Sequence, residues 1–190
     1  MKFVLFLIYC LFVYFSVMKI DSKRLLPLIP AVLFFHNLEE ALTMPHWLAA
    51  HLPELQEKVP LFRSLEFSRT QIFISLILVT VVPLIITILC LRGEQTRRKI
   101  SVLLTLQSII FWNALMPHIS GIFVLGMYNP GTVTAVAGNV PFSILLFYLL
   151  WKEQTIETRV LMHALIDGLF LYLPAVYLNH LLAHRIASLL

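Results

Sequence analysis

Charge is scarce in this chain: Asp, Glu, Lys and Arg make up 13% of its 190 residues, against 59% hydrophobic residues and a mean hydropathy of +0.88. That balance lies far outside the averages of soluble proteins and excludes a soluble globular domain. Cysteine is almost absent. Cys10 and Cys90 both fall inside apolar runs, with no CxxC pair, which excludes a disulfide framework and leaves them as core residues. No internal repeat and no low-complexity tract interrupts the sequence. A small-residue cleavage site is missing after the apolar stretch Lys2 to Met18, which meets Lys19, Asp21, Lys23 and Arg24 directly, so this segment is expected to stay as a first helix.

What the chain does contain is long apolar runs. Charges, prolines and glycines divide them into six candidate helices: Phe3 to Met18, Leu25 to Thr43, Thr70 to Leu91, Ile100 to Met127, Thr132 to Trp151 and Arg159 to Leu178. A span needs about 20 residues, so the predicted fold is all-α, a polytopic membrane helix bundle with about six transmembrane helices in a single domain covering 1–190. The second run is weakened by its own charges, and a re-entrant path is its alternative. The one long connection, Met44 to Arg69, alternates Trp47, Leu48, Leu52, Leu55 and Phe62 with Glu and Lys, the composition of an amphipathic interfacial segment.

The net charge of +4 does not point to nucleic acid, because the basic residues flank apolar runs in short clusters. With six spans, nine of the 14 Lys and Arg fall on one side: Lys19, Lys23, Arg24, Arg92, Arg97, Arg98, Lys99, Lys152 and Arg159. The positive-inside rule then places both termini outside a plasma membrane, taken as bacterial. In that arrangement His36 lies near the midplane, and Glu39 and Glu40 lie in the outer half.

Those acids are the first functional signal. A charge in hydrocarbon costs about 2.5 kcal/mol or more, so intramembrane carboxylates usually face a bundle interior and mark a site or pathway. Helical spacing places His36, Glu39, Glu40 and Thr43 on one stripe. An imidazole and two carboxylates there suit a divalent metal, zinc or iron, or a metal-free proton-transfer pair. The plain alternative is a helix end whose acids reach water.

Further candidates follow along the chain. In the fourth run, Asn113, Pro117 and His118 interrupt apolar sequence, with Gln107 on nearly the same face as His118. Pro117 predicts a kink and a free carbonyl at Asn113. His118 is the preferred partner of the His36 stripe. His163 and Asp167 lie one turn apart in the sixth run, as a candidate ligand with a catalytic or orienting acid, or as an interhelical hydrogen bond. His180 and His184 have permissible metal spacing but sit in the tail, and His46 and His51 read as surface residues. Tyr128-Asn129-Pro130-Gly131 predicts a type II turn, with Thr132 or Thr134 capping the next helix; its functional reading is a lid with Tyr128 at the mouth.

These blocks resemble one family, the membrane proteins named for an HxxEE motif, here His36-Asn37-Leu38-Glu39-Glu40. The stretch from Asn113 through His118 to Tyr128-Asn129-Pro130-Gly131-Thr132 resembles its second block. The resemblance implies a multi-helix membrane protein defined by His36, Glu39 and Glu40, and it brings no substrate with it. The Glu pair is also similar to that of membrane CAAX-type proteases, but their pattern has Arg four residues after the second Glu, where this chain has Met44. The paired-His boxes of membrane desaturases are missing. Three functions stay open: an enzyme working on a lipid or other apolar substrate, as a metal-dependent hydrolase or a metal-free isomerase or cyclase; a proton- or ion-coupled transporter; and a scaffold whose polar groups join helices. Catalytic candidates are Glu39, Glu40, His118 and Asp167, metal candidates His36, Glu39, Glu40, His118 and His163, with Asn113 and Tyr128 beside them.

Overall fold

The computed structural model describes residues 21–60, 63 and 67–190, so the first expected helix and Cys10 lie outside the described residues. The described residues are helical, and five helices are long and apolar enough to cross a membrane: α1 (Ser22–Lys58), α2 (Arg69–Leu91), α3 (Arg97–Leu125), α4 (Thr132–Lys152) and α5 (Thr158–Ala187). This is a helical membrane protein.

Local chemistry sets the helix starts. Side chains of Asp21, Ser68 and Thr96 accept from the backbone N–H of Lys23, Gln71 and Lys99, satisfying donors that no earlier carbonyl can reach. Pro27 and Pro30 fall in the first turns of α1, where their missing N–H costs nothing. The helix does not stop at Thr43. It runs through Pro45 and Pro53 to Lys58, so the expected interfacial segment is, up to that residue, the far end of α1. Burial carries it past the prolines: Leu48 and Leu55 pack with Ile72 of α2 and Leu125 of α3. At 37 residues, α1 is ~55 Å long, more than the ~30 Å hydrocarbon layer requires.

The larger core lies at the end of the bundle where α1 begins. There Leu26, Ile29 and Leu33 meet Leu103, Leu104 and Ile110 of α3 and Leu146 and Leu150 of α4. The Glu153 carboxylate at the end of α4 accepts from the Ser22 N–H (3.1 and 3.2 Å) and hydroxyl (2.6 Å), fixing the two helices antiparallel. α5 lies along α3 and α2. Along α1, residues 36–40 separate the two apolar clusters, and His36, Asn37 and Glu40 among them are buried as the polar interior of the bundle.

Two helices change pitch beside them. Ala114–Ile119 of α3 and Ala135–Asn139 of α4 are π-helical and pack against each other. Pro117 has no N–H and its ring crowds the preceding turn, so the kink expected there takes the form of a widened turn.

Candidate functional site

His36 and Glu40 are separated by one helical turn of α1, and both are buried. His118 comes to them from the widened turn of α3 and is buried as well. Nε2 of His36 lies 3.2 Å from Nε2 of His118, and Nε2 of His118 lies 3.5 Å from Oε1 of Glu40. The two rings stand nearly perpendicular, at 84°. One nitrogen from each imidazole and one oxygen of Glu40 all lie within 4.8 Å of one another.

The turn before α4 closes over this group. Thr132 N–H donates to the Asn129 carbonyl at 3.3 Å, and Gly131 has φ 82° and ψ −9°, the third-position geometry of a type II turn. Gly131 is required for a second reason. A Cβ at this position would stand 2.6 Å from Cε1 of His118 and 2.9 Å from Cε1 of His36. The turn is held on α3 by Asn129, whose amide donates to the carbonyls of Pro117 and His118, both at 3.2 Å.

Glu39 is half-buried and does another job. Its carboxylate accepts from the backbone N–H of Val133 (3.3 Å) and Thr134 (2.7 Å), from the Thr134 hydroxyl (2.5 Å) and from the Tyr128 hydroxyl (2.7 Å). It is therefore the N-terminal cap of α4, an acid at the positive end of a helix. Neither Thr132 nor Thr134 caps that helix as expected. The Thr132 hydroxyl donates instead to Oδ1 of Asn129 at 2.9 Å. Tyr128, outside the spans, has its phenol raised above the usual range by partial burial and by the bond to Glu39.

Donor counting assigns the imidazole protons. Nδ1 of His118 lies 2.7 Å from the Pro130 carbonyl, which can only accept, so that nitrogen carries the proton and Nε2 presents a lone pair. Nδ1 of His36 lies 2.9 Å from the Thr134 hydroxyl. That hydroxyl has one proton, and the 2.5 Å contact with Glu39 requires it. His36 therefore donates from Nδ1, and its Nε2 is also a lone pair. Two imidazole lone pairs and a carboxylate oxygen converge. Near them is the amide nitrogen of Asn113, 3.4 Å from Nε2 of His118.

Other sequence candidates sit elsewhere. His163 and Asp167 share a face of α5, but it is the exposed face. Their neighbours Ala164 and Gly168 take the inward positions, because α5 approaches α3 so closely that a Cβ on Gly168 would collide with Ser108. Gln107 is buried but donates to Ser143 (2.7 Å) away from the imidazoles. The Thr43 hydroxyl turns back to the Glu39 carbonyl. His180 packs on Gln71 and Phe67, His184 and His46 are exposed, and His51 lies 3.8 Å from Glu54. Thr134 and the Pro130 carbonyl, which orient the rings, carried no chemical signal beyond their place in the Pro-Gly turn.

Comparison with known proteins agrees with the motif. Residues 27–146, which hold His36, Glu39, Glu40, His118 and the turn before α4, match the family described as proteins of unknown function with an HXXEE motif. The chain belongs to that family. The uncharacterised Bacillus subtilis protein YrkK is similar to this chain, 25% identical over 145 residues, covering 71% of this chain and 86% of its own. No solved structure matches this HXXEE protein.

Proposed function

We propose that this HXXEE protein is a membrane-embedded enzyme of hydrolase type, acting on an ester or related bond of a lipid or other apolar substrate. The observation that carries the reading is the 3.2 Å approach of the two Nε2 atoms beside a buried Glu40, with the Nδ1 partners assigning both ring protons to the opposite side. Structural imidazoles joining helices would donate from one ring to the other; here both are left as bases, oriented from behind by Pro130 and Thr134. Such a base takes a proton from water as the water oxygen bonds to the acyl carbon. The carbon–oxygen bond to the leaving alcohol then breaks, and the proton passes to that oxygen.

The surroundings favour an apolar substrate. Glu39 and Tyr128 mark the half-exposed edge of the site, and exposed Phe35 (62%) and Leu42 (69%) flank Glu39 one turn to either side. Exposed Val133 (61%) lies across from them at the start of α4, where its N–H meets Glu39. A molecule dissolved in the acyl layer meets this edge sideways, without leaving the membrane. The same reading keeps the bacterial plasma membrane and outward termini, since the Lys and Arg distribution puts the Glu39 edge in the outer half.

The test is product analysis after reconstitution of the full chain into vesicles of bacterial lipid. Wild type and the His163→Ala variant are expected to release acyl or headgroup fragments detectable by mass spectrometry, and His118→Ala is not. Identical lipid profiles in all three samples would remove the hydrolase reading.

A further inference from the structure

We infer that His36, Glu40 and His118 form a binding site for one divalent transition metal of the zinc class. The inference uses the same residues as the hydrolase reading but not its base chemistry: an Nε2 that binds an ion cannot also take a proton from water, so with the site loaded it is the ion that would lower the pKa of the water, and either reading can fail without the other.

Nε2 of His36, Nε2 of His118 and Oε1 of Glu40 are all electron-pair donors, buried, and facing one another at 3.2 and 3.5 Å. Three such atoms brought together away from water repel unless a proton or a cation lies between them, and a carboxylate that stays ionised there without a counter-charge is costly to bury. A cation at their centre turns each repulsion into an attraction. The amide of Asn113, 3.4 Å from Nε2 of His118, does not balance a carboxylate and two lone pairs.

Zinc bonds of about 2.0–2.1 Å to nitrogen and oxygen, arranged tetrahedrally, put ligand atoms ~3.3–3.4 Å apart. The His36–His118 and His118–Glu40 separations, 3.2 and 3.5 Å, bracket that edge length, and all three atoms lie within 4.8 Å of one another. Two imidazoles and one carboxylate leave a fourth position open, as catalytic zinc sites do. Imidazole nitrogen selects against magnesium and calcium, which prefer all-oxygen shells.

Metal-binding histidines usually donate their other ring N–H to a carbonyl or carboxylate, which sets the tautomer and raises the basicity of the ligating nitrogen. His118 donates to the Pro130 carbonyl. His36 donates to the Thr134 hydroxyl, which donates in turn to the Glu39 carboxylate. Glu39 therefore acts on the metal only through Thr134 and His36. The two acids of the motif divide the work: Glu40 binds, and Glu39 orients.

The test is titration of the full chain, purified in detergent and stripped of metal, with Zn²⁺ and with Co²⁺ as a spectroscopic stand-in. The wild type is expected to bind one equivalent and to give the visible absorption of tetrahedral cobalt. His118→Ala and Glu40→Gln should lose that binding, and Mg²⁺ should not compete. Thr134→Val keeps all three ligands and should weaken Zn²⁺ binding by about 10- to 100-fold, with Thr134→Ser restoring it. His163→Ala should bind as wild type, and the helical signal of each variant shows that it has folded. Wild-type protein that takes up no Zn²⁺, or a folded His118→Ala that takes up as much as wild type, would overturn the inference.

Discussion

His36 and His118, 82 residues apart in sequence, meet nitrogen to nitrogen at 3.2 Å, and neither ring has a proton to place between them. Both Nδ1 protons are committed outward, one to the Pro130 carbonyl and one to Thr134. The turn that supplies those acceptors is therefore as much a part of the site as the imidazoles.

Gly131→Ala is the sharpest structural test of that turn. The left-handed backbone costs an Ala about 1–2 kcal/mol, and its methyl would stand 2.8 Å from Nδ1 of His118. Thermal unfolding should shift down, and Zn²⁺ affinity should fall with it. Unchanged melting and unchanged affinity would show that the turn does not press on the rings.

Glu39→Ala removes the cap of α4. Losing a capping acceptor costs about 0.5–2 kcal/mol, and amide hydrogen exchange at Val133 and Thr134, whose N–H groups lose their partner, should speed up. The three metal ligands remain, so Zn²⁺ should still bind, more weakly. Complete loss of binding in a folded variant would instead make Glu39 a ligand.

Asp167→Asn and His163→Ala change exposed positions on α5. Each should leave stability within about 0.5 kcal/mol of wild type and leave Zn²⁺ stoichiometry unchanged. A loss of metal in either would mean that α5 turns its other face to the site.

Acidification should release the metal. Binding needs all three donors free of protons, so protons compete and affinity falls as pH drops. Equilibrium dialysis across a pH series should show Zn²⁺ retained at neutral and mildly alkaline pH and lost on the acid side, reversibly. Retention that is flat with pH would argue for binding elsewhere.

Much of this could be read from residue order. The i, i+4 spacing of His36 and Glu40 determines that they share a helix face, and a polar residue beside a proline in an apolar run marks His118. Helical periodicity also grouped Glu39 with them, yet periodicity describes a stripe and not what stands opposite it. Opposite Glu39 is the start of α4, and only the turn's path puts the Thr134 N–H and hydroxyl there. The same limit applies to His163 and Asp167: their spacing was right for one face, but which face turns inward is decided by Gly168 and Ala164 against Ser108. The continuation of α1 beyond Pro45 depends on Ile72 and Leu125, distant partners that no local rule contains.

Nitrogen NMR of the imidazoles reads the protonation pattern of His36 and His118, on which both the base chemistry and the metal site depend. In full-length protein with labelled histidine, assigned by His36→Ala and His118→Ala, both rings should carry a proton on Nδ1. A bare Nδ1 on either ring would contradict the account.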